Sequence, residues 1–182
     1  MRRKRRHVLR TTITLLILGI TTIQSFGSVS VFAADSATTR YKKYLRGKYC
    51  NYKIVDVDGN GVKELICSDS DLQYVFTYDK YSGGMIRLLE KGIGKGTAMP
   101  QYNRKKHQIW ITSVAVHGES EDIVYRLSGR KLTKVTSFSF ENCRDWSKPK
   151  KYVWVKTYYV NGRQVSKKTY NRKYKAAHKG FK

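Results

Sequence analysis

The chain is poor in three things, and each shortage excludes a class of protein. It has 3 cysteines in 182 residues, too few for the framework of a disulfide scaffold. Acidic residues are scarce, 13 against 37 Lys and Arg, which gives a formal charge of +24. Catalytic signatures are missing as well: no nucleophile elbow, no His-Glu-x-x-His zinc helix and no phosphate loop. No internal repeat stands out. What the chain does have is aromatic residues, 13% of the total. That is too much core material for a disordered segment, and the length suits one domain of ordinary size.

The first residues set an expected address. Arg2, Arg3, Lys4, Arg5, Arg6 and Arg10 form a basic start, and residues 11–34 carry no charge. The apolar centre is Ile13 and Leu15–Ile20. Val31-Phe32-Ala33 then places small or branched residues where a signal peptidase cuts. This layout predicts a secretory signal peptide over 1–33, a domain over 34–182, and a secreted, extracellular protein. The alternative is a signal segment left uncleaved, which would be the one route to a membrane. Residues 34–182 hold 31 basic and 13 acidic side chains. The excess is concentrated at the end, where residues 144–182 hold 13 basic residues and Asp145 as the single acid.

Along the domain the hydrophobic period changes twice. Ala37, Tyr41, Tyr44 and Leu45 share one helical face, so a short helix is expected at 36–46, capped by Asp35 or Ser36 and ended at Gly47. A period of two follows: Tyr74, Phe76 and Tyr78 alternate with Val75 and Thr77, and Tyr152, Trp154 and Tyr158 with Val153, Val155 and Tyr159. Turn signals recur at short intervals, including Ser82-Gly83-Gly84, Ser128-Gly129 and Asn161-Gly162. Short links force antiparallel pairing. The expected strands are 50–57, 62–68, 73–79, 85–90, 97–102, 107–116, 121–127, 130–140, 151–160 and 163–166. A basic helix at 167–178 closes the chain, with Ser166 as cap and Tyr170, Tyr174 and Ala177 as its apolar stripe. The fold class is mainly β: an antiparallel β-meander over 50–166 with a helix at each end, its sheet propeller-like, sandwich-like or a partly open barrel.

One stretch carries chemistry. In Asp56-Val57-Asp58-Gly59-Asn60-Gly61-Val62-Lys63-Glu64-Leu65, oxygen side chains stand at positions 1, 3, 5 and 9. A hard cation such as Ca²⁺ takes six to eight oxygens at about 2.3–2.6 Å. Asp56, Asp58, Asn60, the backbone carbonyl of Val62, and Glu64 are the expected ligands, with Gly61 permitting the bend. A full EF-hand loop needs Glu at position 12, where this chain has Cys67. The apolar flanks Tyr52, Ile54 and Val55, then Leu65 and Ile66, predict a β-hairpin around the loop. Three carboxylates imply a modest affinity, ~10⁻⁴–10⁻³ M. The same residue types are what a bare tight turn selects. Asp69, Asp71 and Asp79 are either further ligands or turn residues.

The stretch resembles the calcium loop of FG-GAP or VCBS-type repeats, and a single-copy version in secreted proteins of clostridia-like Gram-positive bacteria. In that second group a short helix precedes the motif, a β-meander follows, and an Asn-Gly hairpin with a final helix closes the chain. The resemblance implies an extracellular calcium-stabilised β-domain. Multi-copy propellers repeat the loop in each blade, whereas this chain carries one copy.

Two further expectations concern the cysteines and the basic end. Cys50 and Cys67 flank the hairpin and are the favoured disulfide, with Cys143 left over; the alternative is three small core residues. Lys150, Lys151, Lys156, Arg163, Lys167, Lys168, Arg172, Lys173 and Lys175 interleave with Tyr152, Trp154, Tyr158, Tyr159, Tyr170 and Tyr174. They predict a basic face over an aromatic core, suited to an anionic cell-wall polymer or glycan, with no specific nucleic acid expected. The resulting functional reading is a non-catalytic, calcium-stabilised binding domain at a cell envelope or extracellular matrix. The competing class is an envelope-associated enzyme or inhibitor built from His107, His117, His178 and Cys143.

Overall fold

The computed structural model describes residues 36–48, 50–92, 98–114, 119–145, 147 and 153–182. The signal segment, its cleavage site, His117, Lys150, Lys151 and Tyr152 lie outside the described residues. Ten strands follow one helix and precede another. Helix α1 spans residues 36–45. Strands β1 (Asn51–Val55), β2 (Glu64–Ser68), β3 (Leu72–Asp79) and β4 (Gly84–Gly92) form a four-stranded sheet in that order. Strands β5 (Gln101–Asn103), β6 (Gln108–Val114), β7 (Ser120–Ser128), β8 (Lys131–Arg144), β9 (Trp154–Val160) and β10 (Arg163–Val165) form a six-stranded one. Each strand pairs antiparallel with its sequence neighbours, and helix α2 (Lys167–His178) follows. The meander is therefore divided into two sheets between β4 and β5.

Side-chain alternation turns the two sheets into four layers. In β2, Leu65 and Cys67 face α1, where they meet Ala37, Tyr41, Leu45, Phe76 and Tyr78. Ile66, on the other face, joins Val75 and the β6–β7 residues Ile109, Ile111 and Leu127 between the sheets. Trp110 and Val124 then point away from that layer, to Phe138, Val160 and Tyr170 beneath α2. The order is α1, four-stranded sheet, six-stranded sheet, α2. Because β2 is covered on both faces, all five of its residues are buried, Glu64 and Ser68 included.

Local chemistry fixes the ends. The Ser166 hydroxyl accepts from the Thr169 N–H at 3.3 Å and caps α2. Phe138 stacks on Trp110, and Tyr170 and Tyr174 meet Phe138 edge-on. Beneath them lies Asp122, buried and accepting from Trp110 Nε1 at 3.1 Å and Thr112 Oγ1 at 2.6 Å. Asn161 and Gly162 both take positive φ, 52° and 75°, as a two-residue hairpin link requires.

The cysteines differ from expectation. Cys50, Cys67 and Cys143 are all free thiols. Cys67 lies opposite Tyr52 and Ser68 opposite Asn51, so Cys50, which precedes β1, stands diagonally to Cys67. Diagonal neighbours on a sheet are ~7–8 Å apart, beyond the ~4.4–6.8 Å between Cα atoms that a disulfide spans. Cys67 is core, as the alternative reading had it, and burial pushes its thiol up to about 12.

Candidate metal centre

The loop between β1 and β2 is held by its own acids. Asp56 accepts from the Gly59 N–H at 2.7 Å and the Gly61 N–H at 3.1 Å, which curls the chain around its carboxylate. Gly59 and Gly61 take φ of +76° and +81°, a conformation side-chain-bearing residues avoid. Asp58 accepts from the Asn60 N–H and side-chain amide, and Asn60 Oδ1 accepts from the Val62 N–H at 2.7 Å. Val62 is thus tied to the loop through its N–H.

Glu64 enters from β2. It is fully buried, and its Oε2 accepts from the Val57 N–H at 2.9 Å while Oε1 accepts from the Thr77 hydroxyl at 3.2 Å. One carboxylate oxygen each of Asp56, Asp58 and Glu64 lies within 4.8 Å of the others. Two oxygens bound at ~2.4 Å to one ion can be no more than about 4.8 Å apart, so the spacing fits a shared cation. No ion pair within the described residues neutralises the cluster. Burial, opposed by the Val57 and Thr77 hydrogen bonds and aided by the charges of Asp58 and Asp56, pushes the Glu64 carboxyl up to about 8. A divalent cation would remove that penalty. All the converging donors are oxygens, the set that hard cations take. Cys67 offers no sulfur here, since Leu65 and Cys67 face α1 while Ile66 faces the other sheet, the side Glu64 shares by alternation.

The loop also ties the layers together. Val57 is fully buried in the intersheet cluster with Ile66, Ile109 and Leu127. Asp58 Oδ2 accepts from the Gly129 N–H in the β7–β8 turn at 2.6 Å. The Tyr41 hydroxyl of α1 donates to the Lys63 carbonyl at 2.8 Å. Contacts from Val57, Thr77, Gly129 and Tyr41 were not evident from the spacing of acids. The one available signal was Val57 itself, an apolar residue between two aspartates in a loop. Asp69 and Asp79 are turn residues: Asp69 accepts from the Asp71 and Leu72 N–H groups, and Asp79 from Tyr81 N–H and Ser82 Oγ while pairing with Arg130.

Of the basic residues singled out, seven are described. Lys156 lies on β9, Arg163 on β10, and Lys167, Lys168, Arg172, Lys173 and Lys175 on α2, all exposed. The aromatics divide. Tyr158, Tyr170 and Tyr174 enter the core under α2, whereas Trp154 is 66% exposed at the start of β9. Lys156 Nζ lies 3.4 Å from the centre of the Phe140 ring. Of the competing catalytic set, His107 occupies the β5–β6 turn, His178 packs on Trp110, and Cys143 is exposed on β8.

No protein-family model, curated protein or solved structure matches the chain. No helix among the described residues is long and apolar enough to cross a membrane.

Proposed function

We propose that this is a secreted, non-catalytic binding domain whose β1–β2 loop holds one Ca²⁺ and whose basic C-terminal segment contacts an anionic polymer of a cell envelope or extracellular matrix. The observation that carries the reading is the convergence of Asp56, Asp58 and buried Glu64, which no ion pair among the described residues balances. When bound, the ion supplies charge balance. Asp56 and Asp58 hold the loop closed, Val57 fills the intersheet layer, and Glu64 links loop to sheet through Val57 and Thr77. Calcium level would thereby set how firmly the two sheets are joined. The loop's likeness to the FG-GAP and VCBS calcium loops, and the signal-like start of the chain, favour an extracellular setting, where millimolar calcium matches a weak site.

The polymer half of the reading rests on charge placement. Helix α2 holds five Lys and Arg residues and no acid. Lys167 and Lys168 occupy its first turn, where the helix dipole disfavours cations by ~0.3–1 kcal/mol each. A first turn shaped by stability alone would carry acids. The exposed Trp154 beside Lys156 adds an aromatic on β9. The test is retention on immobilised anionic polymer across a salt gradient, with lysozyme as a basic reference protein. Stronger retention than the reference, reduced by replacing Lys167, Lys168, Arg172 and Lys173 with Gln, supports the reading. Elution together with the reference removes it.

A further inference from the structure

A second basic feature uses neither the acids of the loop nor the basic residues considered above. A cleft of about 700 Å³ opens between the β5–β6 turn and the residues that follow α2. Arg104, Lys105 and Lys106 line it from the turn, Lys179 and Lys182 from the tail, and Tyr102 from β5. Among the described residues, no acidic side chain lines it and no ion pair engages these cations. Lys53 adds a further cation 5.3 Å from the centre of the Tyr102 ring.

The walls are fixed while the charges stay exposed, with Lys106 Nζ reaching the Lys179 carbonyl at 3.5 Å. Tyr102 and Lys182 exchange two backbone hydrogen bonds, at 3.2 and 3.1 Å, so the tail runs along the outer edge of β5. Asn103 is buried; its amide donates to the Lys179 carbonyl at 3.3 Å and its carbonyl accepts from the Lys106 N–H at 3.2 Å. Gly180, at φ +87°, passes so close that a Cβ there would sit 2.9 Å from the Asn103 amide nitrogen. The turn and the tail are thereby locked at a set separation. The side chains of Arg104, Lys105, Lys106 and Lys179 remain exposed.

Chemistry then selects the ligand. Lys and Arg donate hydrogen bonds and cannot accept them, and Asn103 has already spent its amide on the walls. A ligand dominated by hydroxyls would find no side-chain carboxylate to take its protons. Phosphate and sulfate ester oxygens only accept, and they are charged. One such group is small against 700 Å³ and meets more cations than it can neutralise. We propose that this cleft is the seat of the anionic polymer, taking a short run of tetrahedral oxyanions, phosphate or sulfate esters, along one linear chain. The proposal rests on the polymer-binding reading above and moves its centre from the face of α2 to the tail beyond it.

The test is calorimetric titration of the purified protein with a synthetic glycerol-phosphate hexamer and, separately, with a heparin-derived hexasaccharide. Three proteins are compared: the wild type, the cleft variant K105Q/K106Q/K179Q, and a charge-matched variant K42Q/K43Q/K134Q. All six lysines are exposed, and near-UV circular dichroism checks that each variant is folded. The cleft variant is expected to bind at least tenfold more weakly, and the charge-matched variant within threefold of wild type. Preference for one probe identifies the source of the oxyanion. Equal losses in both variants would overturn the cleft while leaving the polymer reading intact. Failure of the wild type to bind either probe would remove both.

Discussion

Proton release is the sharpest consequence of the way Glu64 is buried. In the metal-free protein its carboxyl titrates at about 8, against 4.5 for a free glutamate. At pH 7 a group titrating near 8 is ~90% protonated. A cation that takes Glu64 as a ligand must displace that proton. Calcium binding should then release about 0.9 proton per ion at pH 7 and about 0.1 at pH 9. Calorimetric titrations at pH 7 in two buffers of different ionisation enthalpy read this directly, because the apparent enthalpy shifts with the buffer in proportion to the protons released. Glu64→Gln should abolish the buffer dependence and weaken calcium. A linked effect appears in stability. Since the folded value lies above the unfolded one, the metal-free domain is favoured below pH ~4.5 and loses that contribution as pH rises toward 8. At ~1.4 kcal/mol per pH unit, the span from 4.5 to about 8 bounds the loss at about 5 kcal/mol. Calcium should flatten that slope. A buffer-independent enthalpy in a protein that does bind calcium would refute Glu64 as a buried, protonated ligand.

Other consequences concern the layers. Val57→Ala removes two methyl groups from the intersheet cluster and should cost about 2 kcal/mol in a denaturant titration; a loss below ~0.5 kcal/mol would mean the loop does not plug that layer. Asp122→Ala leaves the Trp110 N–H and Thr112 hydroxyl without their acceptor, which should cost about 3 kcal/mol by the same assay. Its near-UV circular dichroism should change too, since Trp110 loses its anchor. With a disulfide-exchange reagent, exposed Cys143 should react at once and buried Cys67 only in denaturant. Immediate reaction of Cys67 would contradict its place beneath α1.

Much of this architecture was legible because strands and turns leave local marks. Nine strands fall where the period-two runs and turn residues put them, and α2 matches its expected 167–178 span, while the strand expected at 97–102 is the short β5 at Gln101–Asn103, residues 98–100 being non-strand. Asn161-Gly162 could serve only as a tight hairpin link. The division into two sheets was not legible. A meander reads the same whether the next strand pairs with the last or begins a second sheet. The difference lies in the second face of β2 and β6, where Ile66, Ile109 and Ile111 meet across the layer, and runs such as Leu65-Ile66-Cys67 and Ile109-Trp110-Ile111 do not name their partners. The convergence of Asp56, Asp58 and Glu64 was legible from oxygen spacing, but its setting was not: Thr77 and Gly129 come from other hairpins. The disulfide expectation failed on register. Sequence places Cys50 and Cys67 on neighbouring arms, while a two-residue offset makes them diagonal. Trp154 failed differently, lying exposed on β9 where strand alternation alone put it with the core.

The central claim is that the β1–β2 loop binds calcium and thereby steadies the fold. Its most direct test is a thermal melt of the protein in EDTA and in millimolar Ca²⁺, beside Asp58→Ala. At ten times Kd the ion adds about 1.4 kcal/mol, which for a domain of this size raises Tm by ~3–6 °C. The account predicts that rise in the wild type and none in Asp58→Ala. Identical melts in EDTA and calcium for the wild type would contradict it and reduce the loop to a hairpin turn.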